Sequence, residues 1–348
     1  KISFSGGRTS ALMLYLVMCA HGGALPEDVV VLFANTGKER EATLEFVRDC
    51  ALHWGVTVHW VERAHCACVD SFLRLRAMGI DIAKQIHEGT VALHEPNCPA
   101  QSDEWVGYKE VSFETANRTG DPFAALIENR NYLPNPVTRF CTEELKIRVM
   151  KKWMVDHGHE HWTNVVGLRA DEPKRVSRMR GRRDEGRWEV ALPLAEAGIT
   201  SEHVEMFWAT QPFKLNLRPW EGNCDLCYLK GRAKRTRIMR DNPELAQWWI
   251  DMESIIRIPR ATRPIEAKVI EHEEDDAAAQ PMLPIGAEYM TRVVTPKEPA
   301  ARSHPFRIDA PQYKDLFTLS QQPMLSFDEA DLCGIAEDDI GDCFCNAA

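Results

Sequence analysis

The segment Lys1-Ile2-Ser3-Phe4-Ser5-Gly6-Gly7-Arg8-Thr9-Ser10-Ala11-Leu12-Met13 reads as the end of a strand, a glycine and hydroxyl loop, and the start of an apolar helix. Such a junction restricts the chain to α/β folds that cradle an anion where a strand hands over to a helix. Gly6 and Gly7 carry no Cβ, so the backbone can take positive φ and approach a ligand closely. The N–H groups that open a helix add partial positive charge, and Ser5, Thr9 and Ser10 supply hydroxyl donors beside Arg8. No Gly-Lys-Ser/Thr follows the glycines, so the loop is not a Walker loop.

Downstream, Asp28 to Ala34 is a β-branched apolar run suited to a strand buried on both faces, and it ends at Asn35-Thr36-Gly37. Apolar residues at helical spacing follow from Glu39 to Trp54, and Val56 to Val61 reads as the next strand. Strand and helix alternate, which predicts a doubly wound parallel sheet of the Rossmann-like kind. In such a sheet ligands bind at the carboxyl ends of the strands, so the Ser5–Ser10 loop and Asn35-Thr36-Gly37 are expected at one site.

Between Ala64 and Pro136 the pattern is less regular, with Cys66, Cys68 and Cys98 in expected loops and a helix over Phe113 to Arg130. Helices are expected at Thr142–His157, Val204–Trp208 and Arg232–Ile256, and a strand at Trp162–Arg169. Residues 1–260 are thus read as one nucleotide-binding domain that includes a cysteine-bearing helical region. Residues 261–348, with their prolines and the acidic run Glu271 to Asp276, are read as a loosely structured extension. The missing initiator methionine suggests that strand one begins upstream of Lys1.

No apolar run reaches the 18 or so residues of a membrane span, so a cytoplasmic protein without a membrane partner is expected. The formal net charge of -10 argues against a protein that coats nucleic acid indiscriminately. Lys and Arg are nonetheless concentrated between Arg139 and Arg240, including Lys174 to Arg183, which points to an anionic ligand.

The first loop resembles the Ser-Gly-Gly-x-x-Ser signature of the PP-loop, or adenine nucleotide α-hydrolase-like, superfamily, and the resemblance extends further along the chain. Val30 to Thr43 resembles the second signature of its phosphoadenosine-phosphosulfate (PAPS) reductase-like branch, with Ala42-Thr43 where the family has Glu-Thr and Glu39 or Glu41 available to substitute. Gly167-Leu168-Arg169-Ala170-Asp171-Glu172-Pro173-Lys174-Arg175 matches the pattern Gly-x-Arg-x-x-Glu-x-x-Arg. The resemblance is strongest to members from phages and other mobile elements. It implies that Ser5 to Ser10 hold the phosphates of ATP or a sulfonucleotide, that Asn35, Thr36 and Gly37 approach the adenosine, and that Arg169 and Arg175 clamp the distal anion. It places Gly167 and Glu172 in the same nucleotide-binding set, and a magnesium ion can accompany the nucleotide.

Eleven scattered cysteines fit metal or catalytic thiols better than a disulfide framework. Cys224-Asp225-Leu226-Cys227 is a C-x-x-C, and Cys141 stands where iron–sulfur sulfonucleotide reductases have a tandem pair. Three thiolates suit a [4Fe–4S] cluster or a zinc site, with Cys98, Cys343 or Cys345 as a fourth ligand or the fourth position open. The tail cysteines Cys343 and Cys345 resemble the terminal catalytic cysteine of PAPS reductases. Two chemistries follow from the resemblance. One is adenylation of an acceptor, a nucleic acid among the candidates, for sulfur transfer; the other is reduction of PAPS or adenylylsulfate with release of sulfite. A third expectation is a nucleotide-binding accessory module of a mobile-element or CRISPR-type nucleoprotein complex. The oligomeric state stays open.

Overall fold

The computed structural model describes residues 1–78, 98, 107–130, 132–181, 187–254, 256–257, 302–303 and 305–322. A six-stranded sheet carries the fold. Its strands are β1 (Ile2–Ser3), β2 (Val31–Asn35), β3 (Val58–Ala64), β4 (Gly107–Val111), β5 (Trp162–Val166) and β6 (Trp188–Ala191), in the order β4-β3-β2-β1-β5-β6. Every pairing is parallel except that of β4 with β3. The short β1 is central, with Ile2 facing Val31 on one side and Val165 on the other.

Period-two alternation along β2 builds both faces of the sheet. Val31 and Phe33 join Ile2, Phe4, Leu12, Phe46 and Trp60 in one buried cluster, while Leu32 and Ala34 join Val61, Val149, Met150 and Trp153 in another. The first face is covered by α1 (Arg8–Ala20), α2 (Glu41–Trp54) and, further on, Trp208 of a later helix. After α3 (Ala67–Ala77) and α4 (Asp121–Arg130) comes α5, which covers the other face and runs as Phe140–Thr142, a π-helical stretch Glu143–Ile147 and Arg148–Asp156.

The alternating α/β reading therefore holds. Several boundaries differ. The helix expected over Phe113–Arg130 starts only at Asp121, because the Asn117 side-chain oxygen accepts from the N–H groups of Thr119 (3.1 Å), Gly120 (2.9 Å) and Asp121 (3.2 Å) and holds a turn before it. The strand expected to Arg169 stops at Val166, and α6 (Pro173–Arg180) follows its turn. A short α7 (Pro193–Glu196) and α8 (Ser201–Ala209) come next.

The helix expected over Arg232–Ile256 is two helices, α9 (Arg232–Asp241) and α10 (Ala246–Ser254), separated by a 3-10 turn at Pro243–Leu245. Pro243 lacks the N–H that would continue the first helix. The acidic and proline-rich stretch from 261 to 300 lies outside the described residues, whereas residues 305–322 pack. Their helix α11 (Tyr313–Ser320) brings Tyr313 and Leu316, together with Phe306, into the buried cluster that also holds Leu226, Tyr228, Trp249 and Met252.

Trp249 is fully buried in that cluster and Trp248 packs against it. Cys50 is buried within α2, whereas Cys19 is exposed, since it lies on the outer side of α1 near its end.

Candidate functional site

The chain visits β1, β2 and β3 moving one way across the sheet and returns to β5 and β6 on the other side of β1, so the strand order reverses between β1 and β5. Open parallel sheets bind ligands outside the carboxyl ends of the strands at such a reversal. The loop Ser5–Ser10 leaves the carboxyl end of β1 there, and Gly167 leaves the carboxyl end of β5.

The loop is folded by its own hydroxyls. Ser10 Oγ donates to the Gly7 carbonyl at 3.0 Å and accepts from the Ser5 N–H at 3.3 Å. With that single proton committed to Gly7, the Ser5 hydroxyl donates across the 2.9 Å contact to Ser10 Oγ. Gly6 sits at φ +74, and a Cβ there would fall 2.7 Å from Thr43 Cγ2, 3.1 Å from Val47 Cγ2 and 3.2 Å from Phe33 Cε2. Glycine is required at Gly6 on both counts. Gly7 is the N-cap of α1 without a side-chain cap, so the amides of the first turn, in Arg8, Thr9 and Ser10, face the loop with the positive end of the helix dipole. Thr9 and Ser10 are buried, and the Arg8 carbonyl accepts from Trp208 Nε1 at 3.0 Å.

The Asn35-Thr36-Gly37 turn adjoins this loop from β2, and buried carboxylates organise it. Asn35 Nδ2 donates to Glu62 Oε1 at 2.6 Å and its Oδ1 accepts from the Gly37 N–H at 3.1 Å. Glu39 Oε2 accepts from both the N–H and the hydroxyl of Thr36 at 2.8 Å, while its Oε1 pairs with Lys146 at 3.3 Å. Of the two glutamates considered as substitutes at the second signature, Glu39 is thus built into the turn. Glu41 is half exposed and pairs with Arg118 at 2.7 Å.

On the β5 side, Gly167 lies against the first turn of α1, and the following residues make a network. Glu172 Oε2 accepts from the Arg169 N–H at 3.0 Å and its Oε1 accepts from Arg175 Nη1. The Arg169 guanidinium donates to Asp171 at 2.8 Å, and Asp171 also accepts from the N–H and hydroxyl of Ser201. Burial raises the Asp171 carboxyl, but the hydrogen bonds from Arg169 and Ser201 outweigh it and hold the group below its ordinary value. Arg169 is therefore engaged with its own turn. Arg175 is 8% exposed, and its Nε and Nη2 are buried without a hydrogen-bond partner.

The C-x-x-C segment reaches the same edge. Asn223 Nδ2 donates to the Ser5 carbonyl at 2.7 Å, Cys224 pairs with Glu39 as an antiparallel bridge, and Asp225 forms a buried ion pair with Lys38 at 2.8 Å. Asp225 also accepts from Trp249 Nε1 at 2.8 Å. Cys224 and Cys227 are buried in the cluster that Cys141 packs against, and Cys141 Sγ lies 3.4 Å from the Tyr228 hydroxyl. Burial, reinforced by Cys141 and Cys227, pushes that phenol far above its ordinary value.

Ligand atoms that can share one ion lie within a few ångströms of one another. Among the described residues Cys66, Cys68 and Cys98 form such a group, with all three sulfurs within 4.8 Å of one another. A C-x-C before a helix was its visible signal, but nothing in the sequence joined it to Cys98. Cys343 and Cys345 lie outside the described residues.

A second polar centre stands beside β3. Glu144 is buried and pairs with Arg63 (3.1 Å), Arg148 (2.7 Å) and Arg130. Burial lowers the Arg63 guanidinium from its ordinary value, while Glu144 opposes that shift.

The chain is similar to an uncharacterized protein of the nin region of Escherichia phage lambda, 28% identical over 235 residues that make up 67% of either chain. It is also similar to an uncharacterized protein of Methanocaldococcus jannaschii, 23% identical over 263 residues, or 74% of this chain and 41% of the archaeal one. The chain thus spans about two-fifths of the length of the archaeal relative. No family model and no solved structure matches it. A relative in a phage genome agrees with the expected link to mobile elements. No helix of the described residues is long and apolar enough to cross a membrane.

Proposed function

We propose that this chain is a PP-loop protein of the PAPS reductase-like branch that binds the phosphates of an adenine nucleotide between the Ser5–Ser10 loop and the Gly167–Arg175 turn. The observation that carries the reading is the meeting of Gly167 with the first turn of α1 at the point where strand order reverses. The uncapped helix start offers N–H donors, and Arg175 offers a buried guanidinium with two unused nitrogens. A buried cation with unmet donors is costly in a free protein and is relieved by an anion. The nearby Asn35-Thr36-Gly37 turn is the surface for the adenosine.

On that binding, the chemistry is adenylation. An acceptor oxygen attacks the α-phosphorus of ATP, the bond to the bridging oxygen breaks, and pyrophosphate leaves. The backbone amides and Arg175 would stabilise the charge on the departing phosphates. A sulfide-level sulfur nucleophile would then attack the activated carbon of the acceptor and displace AMP, and the concentration of Lys and Arg in the middle of the chain favours an anionic acceptor such as nucleic acid.

Anaerobically purified full chain incubated with labelled ATP, and separately with labelled PAPS, tests this. Pyrophosphate from ATP supports it; sulfite from PAPS would replace it with the reductase reading. Binding of ATP without turnover would leave a nucleotide-responsive module, and no binding of either nucleotide would remove the site.

A further inference from the structure

The sulfurs of Cys66, Cys68 and Cys98 all lie within 4.8 Å of one another. Two local features produce this. Strand β3 ends at Ala64 and α3 begins at Ala67, so Cys66 immediately precedes the helix and Cys68 is its second residue. Val69, the next residue, is buried and anchors the start of the helix. Cys98 completes the group from a distant part of the sequence, and all three cysteines are half-buried.

We propose that these three cysteines form a site for one thiophilic metal ion of the zinc type, separate from the C-x-x-C at Cys224–Cys227. The spacing selects the kind of centre. Sulfurs bound at about 2.3 Å to a single tetrahedral ion stand about 3.8 Å apart, so the triad closes on one ion with a contraction of at most about 1 Å. In a cubane cluster each cysteine binds a different iron at an outward corner, which holds the sulfurs farther apart. Three thiolates carry three negative charges, and the positive end of the α3 dipole lies beside two of them. Borderline-soft cations prefer this donor set to the hard ions that take oxygen ligands.

Among the described residues the site has three protein ligands, and a tetrahedral ion on them has a fourth position for one more ligand. The site lies at the carboxyl end of β3, two strands from the Ser5–Ser10 loop and on the same edge of the sheet. Its minimum role is a clip that fixes Cys98 to the start of α3. This inference does not depend on nucleotide binding.

Metal analysis of the full chain, purified under reducing conditions from zinc-supplemented cells, tests it. The expected result is one zinc per chain, lost in Cys66→Ser/Cys68→Ser and in Cys98→Ser, and retained in Cys224→Ser/Cys227→Ser. Cys98→Ser leaves α3 and its anchor unchanged, so loss of metal there cannot be assigned to a broken helix. Cobalt(II) added to metal-stripped wild-type protein should give the intense visible bands of tetrahedral thiolate coordination. Zinc retained in both Cys66/Cys68 and Cys98 variants would overturn the site, as would an octahedral cobalt spectrum. Iron with an equal amount of sulfide that disappears only in Cys224→Ser/Cys227→Ser, with no zinc in the wild type, would overturn it in favour of a cluster on the other cysteines.

Discussion

A Cβ built on Gly167 would lie 3.0 Å from the Cα and 3.3 Å from the N of Ser10, so the turn after β5 rests directly on the first turn of α1. The neighbours are backbone atoms and cannot rotate away. Gly167→Ala should therefore push the two loops apart at the reversal of strand order. Overpacking of this kind costs about 1–3 kcal/mol. We expect a lowered melting temperature and at least a tenfold loss of ATP affinity by calorimetry; unchanged affinity would separate this contact from the ligand site.

Gly6→Ala should be worse, because two independent penalties add. An alanine at φ +74 costs about 1–2 kcal/mol in backbone strain, and its methyl would meet Thr43 Cγ2 at 2.7 Å. Thr43→Ser removes that methyl but leaves the strain. A double-mutant cycle in urea should therefore show partial rescue of Gly6→Ala by Thr43→Ser. Full additivity would mean that Thr43 is not the limiting contact.

The fold was legible where one physical signal dominated. The apolar run Val31–Ala34 of β2, the loop after β1 and the acidic start of α2 announced the central βαβ unit. Other parts depend on partners remote in sequence. The edge strand β4 was hidden because its antiparallel pairing joins Trp60 to Val111, and half its side chains face solvent. The role of Glu39 could not be separated from that of Glu41 until Thr36 and Lys146 were seen around it. Likewise Arg169 matched a signature, yet Asp171 occupies its guanidinium. The Cys66, Cys68 and Cys98 group shows the same limit, since spacing along a chain reports only local pairs.

Glu144→Gln should destabilise the protein strongly. Arg63 has a side chain only 6% exposed and would lose its carboxylate, whereas Arg130 and Arg148, at 30% and 25%, can turn toward water. Removing the charge of one partner of a buried ion pair costs up to about 3–5 kcal/mol, and less where the remaining charge keeps other contacts, as Arg63 does. Urea unfolding should show a loss near the lower end of that range, and Arg63→Met should recover part of it in the Glu144→Gln background. Equal stability of Glu144→Gln and wild type would mean that water already reaches the cluster.

Glu253 gives the docking of α11 a pH dependence. Burial raises its carboxyl above the ordinary value, although its two oxygens accept from the N–H groups of Tyr313 at 2.6 Å and Phe306 at 3.1 Å. With the folded pKa above the unfolded one, the folded state holds more protons between the two values, so stability falls as pH rises through that window. The contribution is greatest below the unfolded carboxylate pKa. Unfolding at a series of pH values should show this slope in wild type and lose it in Glu253→Gln, which cannot titrate; an identical slope in both would assign it to other groups.

Arg175 allows binding and stability to be told apart, because the proposed ligand site predicts a large loss of binding with little change in stability. Its Nη1 is held by Glu172, while Nε and Nη2 are buried and unpartnered, a state that costs free energy in the absence of a ligand. Arg175→Met removes those unmet donors and keeps much of the aliphatic volume, at the expense of the pair with Glu172, which is itself mostly buried. Glu172 still accepts from the Arg169 N–H, so its turn retains one anchor. The nucleotide-free variant should then unfold within about 1 kcal/mol of wild type, since the gain and the loss are of similar size. Its affinity for ATP should fall tenfold or more, because the guanidinium no longer meets the phosphate oxygens. Thermal shift with and without ATP reads both quantities at once: the stabilisation by ligand should shrink while the ligand-free melting point barely moves. If both drop together, Arg175 is a structural residue, and the anion must be held by the α1 amides and the Ser5–Ser10 loop alone.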